Sequence, residues 1–149
     1  MNLYEIIDQE IKKAMIAKDK LRLEVLRSAK TAFMESTTAK GASHELTEDQ
    51  SVTILQRMVK QRKDSATIYE EQNRSELAEQ ELKEVEVLQS YLPKQLTQEE
   101  LDKAVGVIIE QTGASSLKDM GKVMGKATKS LVGKAEGRLI ADTVRRLLS

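Results

Sequence analysis

Only one proline interrupts this chain of 149 residues, at position 93, and on either side of it apolar residues recur every three to four positions. A long stretch without helix breakers and with that period folds as amphipathic helices. The first 92 residues show it from the start. Leu3, Ile6, Ile7, Ile11, Ala14 and Met15 share one face of a first helix. A second helix, capped near Asp19, carries Leu21, Leu23, Val25, Leu26, Ala29, Ala32 and Phe33. Its apolar positions exceed a single stripe, which predicts a central helix with several neighbours. Strand periodicity is absent throughout, and four aromatic residues leave any core to Leu, Ile, Val, Met and Ala.

Punctuation residues divide the rest. Lys40-Gly-Ala-Ser-His-Glu45 reads as a loop, and Thr47-Glu-Asp-Gln50 has capping-box spacing. Val52, Leu55, Met58, Val59, Ala66 and Tyr69 mark a long third helix with a basic middle, Arg57 to Lys63. A fourth covers about 75–91, with Leu77, Val85, Leu88 and Leu92 inward. After Pro93 a second capping box, Thr97 to Glu100, opens a helix that buries Leu101, Val105, Ile108 and Ile109, and Gly113 suits its left-handed end. Ser116 to Asp119 starts another helix, and the loop at Gly133 leads to a last one bearing Leu139, Ile140, Val144, Leu147 and Leu148. The expectation is an all-α, multihelical chain: a four-helix module over 1–92, then a three-helix tail over 97–149, with the boundary near Pro93.

Composition excludes several chemistries. With no cysteine there is no disulfide, thiolate metal site or cysteine nucleophile. The lone histidine, His44, sits in the predicted loop with no nucleophile at usable spacing. Ser115-Ser116 reads as a helix cap rather than a hydrolase pair, and no Walker or GxGxxG pattern occurs. The expectation is therefore no catalytic residue, no metal and no cofactor. No apolar run approaches the ~20 residues of a membrane span. The N-terminus carries acids inside its apolar pattern, unlike a secretory signal, so a cytoplasmic location is expected.

Charge is uneven beneath a net of zero. Residues 118–149 hold eight bases and three acids, whereas 70–86 hold seven acids and two bases. A basic end of this kind fits a polyanion. Within it lies the tandem Met120-Gly-Lys-Val-Met-Gly-Lys126. On a helix at 100° per residue, Leu117, Met120, Met124, Ala127 and Leu131 gather on one side. Lys118, Lys122, Lys126 and Lys129 gather on the other, with Gly121 and Gly125 between. Each glycine costs a helix about 1 kcal/mol relative to alanine. Two returns would fit: close packing of a neighbouring helix, or close approach of a ligand backbone beside phosphate-binding lysines. Lys134, Arg138, Arg145 and Arg146 extend the basic surface if the helices adjoin, and Arg22, Arg27 and Lys30 are further candidates in the first module.

Three strings together, Leu21-Arg-Leu-Glu-Val-Leu-Arg27, Glu86-Val-Leu-Gln-Ser-Tyr-Leu-Pro-Lys-Gln-Leu96 and Asp119-Met-Gly-Lys-Val-Met-Gly125, resemble the YqeY family (GatB/YqeY) over essentially the whole chain. That family is similar to the C-terminal helical and tail region of the B subunit of the glutamine-dependent tRNA amidotransferase. The resemblance implies a two-part helical fold, contact with tRNA and a label of carbon–nitrogen ligase with glutamine as amido donor. The amidotransferase chemistry lies in parts this chain does not contain. At Gly133-Lys-Ala-Glu-Gly137 the family pattern has Asp where Glu136 stands. The expected function is a non-catalytic module for tRNA or other structured RNA. The alternatives are a protein-interaction adaptor with a partner in the translation machinery, and an amidotransferase-associated protein.

Overall fold

The structure, a computed structural model, describes residues 1–38 and 45–149. The loop expected at 40–45, with His44, lies outside the described residues except for Glu45. All regular structure among the described residues is helical: α1 (Leu3–Ala17), α2 (Lys20–Thr38), α3 (Glu48–Glu71), α4 (Ser75–Gln89), α5 (Gln98–Thr112), α6 (Met120–Ser130) and α7 (Gly137–Leu148), with a 3₁₀ turn at Leu117–Asp119. Two compact units result, Met1–Leu92 and Pro93–Ser149.

In the first unit α1 starts with a capping box between Asn2 and Glu5, and Asp19 Oδ1 accepts the Arg22 amide at the head of α2. Leu3, Ile7, Ile11 and Ala14 form the buried stripe of α1, while Met15 lies half in water. Helix α2 packs against α1, α3 and α4, and its Val25, Leu26, Ala29 and Phe33 are fully buried. The core closes with Leu55 from α3 and Leu88 from α4. In α4 the inward position is Ala78 rather than Leu77, which is exposed. With Val85 and Leu88 setting the face, position 78 continues it two turns back.

Pro93 begins the second unit. Thr97 Oγ1 accepts the Glu100 amide at 3.1 Å and Glu100 Oε1 accepts the Thr97 amide at 2.9 Å. That reciprocal pair satisfies two amides at the start of α5. At its other end Gly113 takes φ +69, with the Gly113 and Ala114 amides returning to Glu110 and Ile109 carbonyls. Helices α5, α6 and α7 pack pairwise on one core, with Leu101, Val105, Val123, Ala127 and Val144 entirely excluded from solvent.

Candidate nucleic-acid interface

Helix α6 lies on that core by Val123 and Ala127, with Leu131 buried just past its end. The sequence pattern centred the buried face on the methionines. Instead Met120 and Met124 are half-buried margins and Leu117 is 49% exposed. Val123 and Ala127 are a helical turn apart, and setting them innermost rotates the helix by roughly 40° from the pattern's expectation. The physical reason is shape: a short valine–alanine stripe lets α6 sit closely on α5 and α7, while the longer, flexible methionines fill the edges.

This rotation brings Gly125 to the outermost position and leaves the lysines exposed beside it. Lys118, Lys122, Lys126 and Lys129 are all exposed, as are Lys134 in the following loop and Arg138 at the start of α7. Among the described residues no carboxylate is ion-paired with Lys118, Lys122, Lys126 or Lys129. Asp119, next to Lys118 in sequence, accepts the Ser115 amide at 3.0 Å and so belongs to its own turn. Ser116 caps that turn by accepting the Lys118 amide, which agrees with reading the paired serines as a cap.

The arginines of α7 behave differently. Arg145 pairs with Asp142 at 3.3 Å, and Arg146 donates to Asp102 of α5. Asp102 also accepts Gln98 Nε2 at 2.8 Å, and Gln98 reaches the buried Thr143 hydroxyl at 3.1 Å. Arg146 is thus tied into the α5–α7 contact. The i,i+3 pair was visible in the sequence. The Asp102 partnership was not, because it joins residues 44 apart. Of the apolar set on α7, Ile140, Val144 and Leu148 are buried, Leu139 and Leu147 stay more than a third exposed, and Thr143 joins the buried face.

Gly121 and Gly125 are exposed, and a Cβ added at either would meet nothing within 4 Å. Packing of a neighbouring helix therefore does not account for them. They form a bare stripe along α6, bordered by the lysines on one side and by Leu117 and Met124 on the other.

Of the candidates in the first unit, Lys30 is joined to Asp8 at 2.5 Å, which raises its pKa and lowers that of Asp8. Arg22 hydrogen-bonds the Tyr91 hydroxyl and lies 5.4 Å from the ring centroid. Arg27 is exposed. A cleft of about 390 Å³ near the start of α1 is lined by Tyr4, Glu5, Met34 and Glu45 among others. Among the described residues no group of His, Asp or Glu is placed to hold a metal, and no helix is long and apolar enough to cross a membrane.

The family model described as "Yqey-like protein" matches residues 4–148. Three curated relatives share the name "Altered inheritance of mitochondria protein 41, mitochondrial". The protein of Clavispora lusitaniae is 39% identical over 83 residues, 56% of this chain and 47% of its own length. That of Lachancea thermotolerans is 29% identical over 94% of this chain and 78% of its own length. That of Kluyveromyces lactis is 30% identical over 69% and 56%. The chain thus spans about half the length of two of these relatives. All three are named as mitochondrial, which contradicts the expected cytoplasmic location. That expectation rested on missing signals, and a missing signal does not define a compartment.

Proposed function

The chain belongs to the YqeY-like protein family, and from that premise we propose that it is a non-catalytic module that holds structured RNA, tRNA being the first candidate, on the outer face of α6. One observation carries the reading: four exposed lysines without acidic partners among the described residues stand in a row beside two glycines that face open space. Lysine binds phosphate as a mobile point charge, positioning a backbone without reading its sequence. Lys134 and Arg138 extend the row. Arg145 and Arg146, already paired, contribute less. In this reading the four helices of 1–92 and the three of the tail act as separate modules. The amidotransferase relation enters only through RNA holding, since no residue here is assigned to amide transfer.

The test is a titration of tRNA with the full chain at about 50 and 200 mM salt, with duplex DNA as control. Four phosphate contacts give a loss of about 100-fold across that range. Lys122→Glu/Lys126→Glu is expected to weaken tRNA binding by about 10- to 100-fold at the lower salt and to flatten the salt dependence. Equal, feeble binding of tRNA and DNA, unchanged in the variant, would overturn the assignment and favour a protein adaptor.

A further inference from the structure

Residues 93–149 contain no Phe, Tyr or Trp. Proteins that hold single-stranded nucleic acid compensate the entropy of ordering it by stacking bases on aromatic rings. The α6 unit has no ring to offer; across the glycine stripe from its lysines stand Leu117, Met124 and Thr128, and Ser130 follows Lys129. The backbone positions that bear its cations are also fixed in register. Lys122 and Lys126 are one helical turn apart, about 6 Å along the axis, on a helix anchored by the fully buried Val123 and Ala127. A preset row of attachment points favours a partner whose phosphates are already preset, because only the lysine side chains, and neither backbone, then lose freedom on meeting.

Resting on the reading of α6 as an RNA-holding face, we propose that the RNA it takes is double-helical, gripped through the phosphates of a folded stem rather than through unpaired bases. The lysine row carries this inference together with the absent aromatics. The bare stripe at Gly121 and Gly125 adds only that a broad, shallow surface can come close to the helix backbone. A-form RNA presents such a surface in its wide minor groove. Thr128, also exposed, lies on the same stripe, with Gly121, Gly125 and Thr128 at i, i+4 and i+7, and brings a hydroxyl-bearing side chain to where a ribose 2′-hydroxyl would lie.

A competition experiment on the full chain decides it. A labelled RNA hairpin with a long perfect stem is displaced by unlabelled hairpin or by unstructured single-stranded RNA of equal length and composition. Lys122→Glu/Lys126→Glu is measured in parallel, and circular dichroism confirms its helix content. The expected result is that the hairpin competes about tenfold better or more, and that the variant loses hairpin binding. Single strands competing equally well, with binding still lost in the variant, would overturn the double-helical assignment and leave the RNA-holding face standing. Hairpin binding unchanged in the folded variant would overturn both.

Discussion

Lys30 of α2 reaches Asp8 of α1 at 2.5 Å, and Arg62 of α3 faces Glu84 of α4 at 4.0 Å, so cations of the first unit join its helices to one another. Among the described residues Lys122 and Lys126 of α6 are paired with no carboxylate. The two units thus carry similar charged side chains in different employment. Charge along a sequence locates a basic segment. Only the positions of the acids decide whether that segment is available to a ligand. By that criterion Arg145 and Arg146 resemble the cations of the first unit more than their neighbours on α6.

The contrast can be attacked at several points. The largest effect is expected from Leu101→Ala, which empties a fully buried position beneath the second unit. It should destabilise that unit by about 2–5 kcal/mol in chemical denaturation, and RNA binding should fall with folding rather than with charge. Replacing both α6 glycines by alanine should do the reverse. Because nothing crowds either position, each change should stabilise by about 0.5–1 kcal/mol, read as a raised denaturation midpoint. Weakened RNA binding in that more stable protein would show that the bare stripe serves the ligand. Undiminished binding would assign the grip to the lysines alone.

Asp102→Asn addresses the tied cations. It removes the charge that holds Arg146 and should tighten RNA binding about two- to threefold, a gain that salt abolishes. Should affinity stay constant, Arg146 lies outside the contact surface altogether. The smallest effect concerns pH. The Thr97 amide holds the Glu100 carboxyl below its ordinary value of 4.5. Its contribution is therefore complete above that value and fades as pH falls through the lowered one. Thermal melts of Glu100→Gln, compared with the parent chain, should lose part of the decline seen on acidification below about pH 4.5.

Much of the architecture was legible because helix ends are written locally. Thr47 with Gln50, Thr97 with Glu100, and Gly113 each lie within a turn of the group they satisfy, and all three stand as the spacing implied. Faces were less legible. The pattern at α6 gathered the methionines by helical spacing, yet Val123 sits innermost, and at α7 Thr143 is buried while Leu139 and Leu147 are exposed. Thr143 can be buried because its hydroxyl donates to the Leu139 carbonyl at 2.8 Å and accepts from Gln98, two bonds that a hydropathy pattern does not register. The site shows the same division. The lysine row followed from helical period alone, while the separation of free from tied cations depended on Asp102, a residue from another helix. The glycines gave the least away, since open space beside them is a property of the fold and not of their neighbours in sequence.

The chain enters the second unit at a place it later revisits. Gln95 Nε2 donates to the Gly133 carbonyl at 2.6 Å, and the Leu96 amide to that of Lys134 at 2.8 Å, where Gly133 takes φ +77. These bonds close a ring 38 residues around. A ring has no loose end at its point of closure, so the entry segment cannot fray independently of the turn bearing Lys134. Deuterium uptake at Leu96 is consequently a clock for the opening of that turn. A polyanion pressed against Lys134 would slow the clock at a residue it never touches.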